Sequence, residues 1–149
     1  MRDHYFDDFE IGERFESRGV TLTESQILDF ALAYDPQPFH LDREAAAASP
    51  FGGLIASGFQ TLALAFRMFY QQGLIATCGM GSPGMAELRW LAPVRPGDTL
   101  VTHTEVKDMR PSRSRPDRGT LDMFFEVRNQ HGNAVMTFLA TMILARRPV

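Results

Sequence analysis

The middle of the sequence contains a long segment with almost no charge, and this segment constrains the fold more than any other feature. Between residues 45 and 86 the only charged side chain is that of Arg67. Apolar residues recur there at the spacing of an α-helix that Gly73 is predicted to end: Phe59, Leu62, Ala63, Phe66, Phe69 and Tyr70. A helix that is apolar nearly all round is buried rather than placed at a surface. The rest of the chain must therefore supply a layer that covers it.

The second half of the chain predicts that layer, because its apolar and polar residues alternate as they do in β-strands. Strands are predicted at 85–92, 100–106 and 134–145, and at 121–127 with every second residue apolar. The strand at 134–145 is apolar on both faces, which predicts cover on both sides. A further strand is predicted within 13–20, and 110–119 is predicted to be an exposed connection. An antiparallel sheet wrapped round a central helix is the simplest arrangement that buries both.

The composition excludes several classes of function. A net charge of −3 argues against an electrostatic attraction to nucleic acid or to an anionic membrane. The single cysteine, Cys78, excludes an intramolecular disulfide and a cysteine-built zinc site, and neither His103 nor His131 has a metal-ligand partner at suitable spacing. No run of about 20 apolar residues exists, so no transmembrane helix is expected. We therefore expect a single domain over residues 1–149, located in the cytoplasm.

Asp35 and His40 are the first candidates for chemistry. A capping box at Thr23 begins a predicted helix, and Pro36 ends it because the residue before a proline avoids the α conformation. Pro38 is predicted to prevent the helix from restarting at once, so 35–39 is predicted to be a stiff, extended loop. From such a loop Asp35 and His40 can face one cavity and share a water molecule. The alternative is structural: Asp35 caps a turn, and His40 lies at the surface or satisfied in the core.

Ser57 and Gly58 form the second candidate, because they begin the predicted apolar helix. Free backbone N–H groups and the positive end of the helix dipole meet at such a start. Gly58 has no side chain that would keep a ligand away, so this position suits an oxyanion hole for a carbonyl that becomes an enolate. The structural alternative is that Ser57 is only an N-cap and Gly58 only a packing glycine.

The run FALAYDPQPFHLDREAA at residues 30–46 resembles the hydratase-2 motif of the MaoC-like dehydratase family. Asp35, Pro38, His40 and Ala46 match that motif in register. The segment 50–58 is similar to the one that follows the motif in the family, and 88–98 is similar to its strand and turn. The resemblance spans about residues 5–145. It implies an α+β hotdog fold, in which an antiparallel sheet wraps round a long central helix.

The resemblance also implies an activity: (R)-specific hydration of trans-2-enoyl-CoA thioesters, or the reverse dehydration of 3-hydroxyacyl-CoA. Carried over, Asp35 and His40 jointly activate the water, and the N–H of Gly58, beside Ser57, polarises the thioester carbonyl. It implies no metal and no redox cofactor, since CoA is part of the substrate. The same reacting atoms occur in an acyl-carrier-protein thioester. Relatives with this fold imply a homodimer or a higher homo-oligomer, with the active site at the subunit boundary.

Three positions depart from the family pattern. Tyr34 stands where the motif has glycine, Gln37 where it has asparagine, and Ser57 where a histidine is frequent. We expect Tyr34 and Gln37, with Phe39, to shape the acyl pocket. Two other functions stay open: an acyl-CoA thioesterase on the same fold, and a catalytically inactive family member that binds acyl-CoA.

Overall fold

The computed structural model describes residues 3–149, in which helices are followed by long strands. After a short 3₁₀ turn at Phe6–Asp8, the helices are α1 Glu24–Tyr34, α2 Pro38–Leu41, α3 Arg43–Ala47 and α4 Gly58–Tyr70. The strands are β1 Arg14–Glu16, β2 Val20–Thr21, β3 Gly84–Trp90, β4 Thr99–Pro111, β5 Arg118–Arg128 and β6 Ala134–Ala145. This is the α+β order that the sequence predicts.

The strands form one antiparallel sheet in the order β1-β4-β5-β6-β3, and β2 also pairs with β4. The single front strand expected within 13–20 is divided in two. The division falls at Ser17, whose hydroxyl oxygen accepts from the N–H of Thr102 at 2.9 Å in place of a backbone carbonyl. The strand β4 is longer than predicted and pairs with β5 up to Pro111 opposite Gly119, so only 112–117 connects the two.

The helices begin where the sequence places their caps. The Thr23 hydroxyl accepts from the N–H of Gln26, and the Gln26 side chain accepts in return from the N–H of Thr23. The helix α4 ends at Tyr70, three residues before the predicted stop, and Gly73 closes the following turn with a φ of +81°. No helix within residues 3–149 is both long enough and apolar enough to cross a membrane.

The helix α4 packs against the sheet through one of its faces. The hydroxyl of Thr102 on β4 donates to the carbonyl oxygen of Ala65 at 3.2 Å. The ring of Phe69 meets that of Phe125 edge to face, with centroids 5.1 Å apart, and Phe125 stacks on Phe138. These contacts form the centre of the core and confirm the predicted arrangement of a sheet around a helix.

The prediction that α4 is buried on all sides is wrong for the single chain. Phe59, Phe66 and Tyr70 are exposed, with 60%, 44% and 46% of their surface accessible. The sheet covers only one side of the helix, and these three rings lie on the other. The prediction for β6 fails for the same reason: one of its faces is buried, while the alternate side chains, such as Leu139 and Ile143, are only half-buried.

Candidate active site

The segment between α1 and α4 folds back on itself, which brings Asp35 and His40 together. Asp35 caps the C-terminus of α1, and its N–H donates to the carbonyl of Ala31 at 3.0 Å. The expected extended loop stops at Gln37, because α2 begins at Pro38. The prediction that Pro38 prevents a helix is therefore wrong: a proline suits the first helical position, where its missing N–H has no partner to lose.

Asp35 and His40 are both buried and in contact. Nε2 of His40 lies 3.2 Å from Oδ2 of Asp35, and the two residues are 4% and 8% exposed. The other ring nitrogen, Nδ1, lies 2.7 Å from the carbonyl oxygen of Ile55. A carbonyl oxygen can only accept, so Nδ1 carries a hydrogen. In the neutral ring, Nε2 therefore directs a lone pair toward the carboxylate and is available to take a proton.

The carboxylate of Asp35 accepts hydrogen bonds from two side chains of the same chain. The amide of Gln37 donates to Oδ1 at 2.8 Å, and the hydroxyl of Ser57 donates to Oδ2 at 2.7 Å. Burial is the largest single influence on the pKa of Asp35 and raises it. The hydrogen bonds from Ser57 and Gln37, together with the attraction of the His40 ring when it is protonated, outweigh burial and bring the pKa below its usual range. Asp35 is consequently a carboxylate at neutral pH.

The start of α4 lies beside this pair. Ser57 is the N-cap, and its hydroxyl oxygen accepts from the N–H of Phe59 at 3.3 Å. The N–H of Gly58, in the first turn, has no acceptor among the described residues. A Cβ atom on Gly58 would clash with the indole of Trp90, so any other residue there requires the ring or the helix start to shift. The structural alternatives are thus observed as well, since Ser57 is an N-cap and Gly58 packs against Trp90. Neither role removes the free N–H of Gly58.

These groups border a cavity of about 460 Å³. Its polar end consists of Asp35, Gln37 and His40. Its apolar wall consists of Phe51, Phe59, Trp90, Leu91 and Pro93. Gly58 and Thr61 of α4 also line it, with buried Ile55, Ala56 and Val94. A few polar groups converging at one end of an otherwise apolar cleft are typical of a site for a largely apolar small molecule.

Two of the expected pocket residues do not line this cavity. The side chain of Tyr34 is 76% exposed and its ring packs against Phe30, because the end of α1 turns it away from Asp35. Phe39 lies behind the polar end, where its ring packs against those of His40 and Phe51 at centroid distances of 4.6 and 5.2 Å. Of the three residues expected to shape the pocket, only Gln37 borders it.

The apolar wall was not predicted as part of the site. Its main members come from the loop after α3, the first turn of α4 and the end of β3, which are distant in sequence. Trp90 is the only tryptophan of the chain, and its place near the end of the strand predicted at 85–92 is the one sequence signal that could have pointed to it. The rings of Trp90 and Phe59 meet edge to face, with centroids 6.1 Å apart.

A second cavity, of about 540 Å³, lies over β1, β4 and β5 on the other side of the sheet from this site. Most of its charged side chains pair with one another, as Arg14 does with Glu105 and Arg128 with Glu126, each at 2.7 Å. Within residues 3–149 there is no group of three or more His, Cys, Asp or Glu side chains that could hold a metal ion. The cavity at Asp35 and His40 is therefore the candidate active site.

Several known sequences are similar to this chain over most of its length. Residues 8–123 match the family described as MaoC like domain. The chain is 35% identical over 124 residues to an uncharacterized protein of Bacillus subtilis, YdeM, which covers 83% of this chain and 86% of that protein. It is 34% identical over 123 residues to a 3-hydroxybutyryl-CoA dehydratase of Methylorubrum extorquens, with 77% and 71% covered. It is 32% identical over 117 residues to an (R)-specific enoyl-CoA hydratase of Rhodospirillum rubrum, with 74% of each covered.

Solved structures are similar over nearly the whole chain. A MaoC-like dehydratase from Rhodospirillum rubrum superposes with a TM-score of 0.86 at 40% identity, covering 97% of this chain and 99% of that one. A conserved hypothetical protein from Mycobacterium tuberculosis, described as having a double hotdog fold, superposes with a TM-score of 0.76 at 25% identity. That match covers 97% of this chain and 44% of the other. These similarities confirm the predicted hotdog fold.

Proposed function

This chain belongs to the MaoC-like dehydratase family, and we propose that it is an (R)-specific enoyl-CoA hydratase that also catalyses the reverse dehydration of a 3-hydroxyacyl thioester. The observation that carries the proposal is the buried contact between Asp35 and His40 at one end of an apolar cavity. The free N–H of Gly58 beside the same cavity supports it. The names of the dehydratase and hydratase relatives support the reaction class and its stereochemistry.

The pair binds and deprotonates the attacking water. Water donates one hydrogen bond toward Nε2 of His40 and the other toward the carboxylate of Asp35. As the water oxygen forms its bond to C3 of the enoyl group, Nε2 takes the proton. The resulting imidazolium donates from Nδ1 to Ile55 and from Nε2 to Asp35, so both of its N–H groups have acceptors already in place. Nε2 then returns the proton to C2.

The N–H of Gly58 stabilises the charge that develops at the other end of the reacting group. Attack at C3 moves the C2=C3 electron pair toward C1, and negative charge builds on the thioester oxygen. A fixed N–H at the start of α4, where the helix dipole is positive, stabilises that charge without reorganising during the reaction. A partner for this oxygen is needed in either direction, because hydration and dehydration share one transition state.

The apolar wall suits the hydrocarbon part of an acyl chain, and the thioester is proposed to be carried by CoA or by an acyl carrier protein. Hydration adds the elements of water and changes no net oxidation level. The reaction therefore needs no redox cofactor, and the proton and charge transfers are assigned to Asp35, His40 and Gly58. Neither a nucleic acid nor a membrane is proposed as a partner.

We propose that two copies of the chain form the working unit. Phe59, Phe66 and Tyr70 of α4 are exposed, and so are Met85 and Trp90 of the edge strand β3. The contact between Phe59 and Trp90 joins these residues into one surface, called here the α4–β3 face. An edge strand has unpaired backbone groups, so a second copy related by a two-fold axis would cover both the rings and the edge. The protein with a double hotdog fold, of which this chain matches 44%, supports pairing of two such units.

A substrate panel tests the function. Purified protein is incubated with straight, branched and dicarboxylic trans-2-enoyl-CoA esters, and loss of the conjugated absorbance is followed. We expect hydration of at least one ester, with only the (R)-3-hydroxyacyl product on chiral analysis. Release of free CoA, detected with a thiol reagent, would instead indicate a thioesterase. Binding without conversion across the panel would indicate an inactive acyl-CoA-binding protein.

A further inference from the structure

One hydroxyl group connects the two halves of the site. Oγ of Ser57 accepts from the N–H of Phe59 and donates to Oδ2 of Asp35, 22 residues earlier in the chain. A hydroxyl has one hydrogen and two lone pairs, so both bonds form at once. The residue is 1% exposed, which leaves no access for water as an alternative partner. The end of α1 is thereby bonded to the start of α4.

The second oxygen of Asp35 is held as well. The side-chain amide of Gln37 donates to Oδ1 at 2.8 Å. Two donors from different segments, one on each oxygen, fix the plane of the carboxylate. Gln37 and Ser57 therefore form a clamp around this one carboxylate.

We infer, on the premise of the proposed function, that Ser57 is a positioning residue: with Gln37 it holds the Asp35 carboxylate in one orientation and fixes it relative to the N–H of Gly58. The water that attacks C3 and the N–H that stabilises the charge on the thioester oxygen must lie a set distance apart, because both act on the same enoyl thioester. Ser57 links the two elements directly at the site, whereas the other side-chain link between α1 and α4, from Gln60 to the carbonyl oxygen of Gln26, lies near the start of α1. Proton transfer is then assigned to His40, whose Nε2 keeps a free lone pair. Asp35 remains an anion and accepts the hydrogen bond from the imidazolium N–H.

The surroundings leave few other groups that could set the charge of Asp35. His40 is the only other titratable side chain lining the cavity among the described residues. The first turn of α4 and residues 90–94 carry no charged side chain. The hydrogen bond from Ser57 lowers the pKa of Asp35. Losing that bond raises the pKa of the carboxyl, so the Asp35–His40 pair reaches its active ionisation state only at higher pH.

Three variants separate positioning from helix capping. Ser57→Ala removes both hydrogen bonds. Ser57→Gly removes the bond to Asp35 but keeps a residue that caps helices well, at a cost of only a few tenths of a kcal/mol. Thr23→Ala is the matched control, because it removes the N-cap of α1 and touches no cavity residue. Each is measured by urea unfolding, by the pH profile of kcat/KM for hydration of an accepted enoyl-CoA, and by ¹³C NMR titration of the Asp35 carboxyl.

We expect both Ser57 variants to lower kcat/KM about tenfold at the plateau and to move its acid limb to higher pH, since a small misplacement of reacting groups is costly. The Asp35 carboxyl resonance, assigned with Asp35→Asn, should titrate at higher pH in both. Thr23→Ala should lose stability and keep the wild-type pH profile.

An unchanged pH profile and carboxyl titration in Ser57→Ala and Ser57→Gly would overturn the inference and leave Ser57 as a cap alone. If the wild type hydrates no ester, the proposed function fails instead, and so does the positioning role in that reaction. The NMR titration needs no substrate and would still report whether Ser57 holds the carboxylate, which keeps the two failures distinguishable.

Discussion

The polar end of the cavity and its apolar wall differ in how completely one chain buries their side chains and supplies their hydrogen-bond partners. At the polar end, Asp35 and His40 are buried, and their hydrogen-bond partners all come from the same chain. In the wall, Phe59, Trp90 and Leu91 remain about half or more exposed, which is unusual for such large apolar side chains. The groups proposed to make and break bonds are therefore fully hydrogen-bonded within one copy, whereas the surface proposed to receive the acyl chain is left partly uncovered.

The two regions should therefore differ in how they depend on protein concentration. A buried, internally bonded cluster keeps its geometry at any protein concentration. Apolar rings left in water gain free energy when they are covered, at roughly 25 cal/mol per Å² of apolar surface removed from water. Variants of the polar end should therefore change the rate of the chemical step, and variants of the wall should change assembly and, through it, substrate binding.

The largest effect is expected from removing the pair at the polar end. His40→Ala and Asp35→Asn should each lower kcat for hydration about 10³-fold, the usual contribution of a positioned acid or base. Because the two side chains act on one water, the double variant should be little worse than either single one. Initial rates on the best enoyl-CoA ester measure this. Rates within tenfold of wild type in either variant would remove that residue from the proposed mechanism.

Gly58→Ala tests where the polar end meets the wall. The substitution keeps the backbone N–H but places a methyl group in the indole of Trp90, so the ring or the helix start must shift. We expect kcat/KM to fall about 10²-fold, as a displacement of about 1 Å can cause. In the double variant with Trp90→Leu, about tenfold of that loss should return because the clash is gone. If Trp90→Leu restores nothing, the contact between these residues is not the reason that glycine is required.

The proposed cover of the wall by a second copy is tested on the exposed side of α4. Phe66→Glu places a charge on the α4–β3 face at a side chain that is itself exposed. We expect a shift from dimer to monomer in sedimentation velocity and about a tenfold rise in KM, since the cover over the wall is lost. Ile11→Glu is the matched control: Ile11 is also an exposed apolar residue, but it precedes β1 at the opposite edge of the sheet. A wild-type protein that is monomeric and fully active would contradict the proposed dimer.

The sequence was informative wherever a local rule decides the structure. The capping box at Thr23, the end of α1 before Pro36 and the alternation along β5 all follow from short-range geometry, and the structure confirms each. The spacing of Asp35 and His40 predicted their meeting, although Pro38 brings it about by starting a helix rather than by preventing one. Local rules also place Ser57 correctly as a cap.

What the sequence could not supply depends on long-range packing. The bond from Ser57 to Asp35 requires knowing that α4 begins beside the end of α1, and no periodicity encodes that. Trp90 reaches the cavity only because β3 pairs with β6 at the sheet edge. The expectation for α4 failed in an instructive way: hydrophobic patterning reports that a face avoids water, and it does not say whether the cover is the same chain or another.

The smallest expected effect is a loss of folding stability in acid. This loss should not depend on protein concentration, which distinguishes the polar end of the cavity from its apolar wall. The pKa of Asp35 is lowered in the folded state, so its ionised form favours folding. That stability is fully present above the unfolded-state pKa of about 3.9 and is lost as the pH falls through the lower folded-state value. Wild type should therefore exceed Asp35→Asn in unfolding free energy at pH 5, by about 1 kcal/mol, and the gap should narrow toward pH 3.

Urea unfolding at pH 5 and pH 3 measures this gap, with Asp117→Asn as the matched control. Asp117 is an exposed carboxylate whose pKa is lowered by its pairing with Arg118, and exposed pairs contribute little to stability. Its substitution should leave the gap near zero at both pH values. The gap for Asp35→Asn should also be the same at any protein concentration, whereas the stability lost in Phe66→Glu should depend on concentration. A gap for Asp35→Asn that does not change with pH would mean that the clamp around Asp35 gives its charge no advantage in folding.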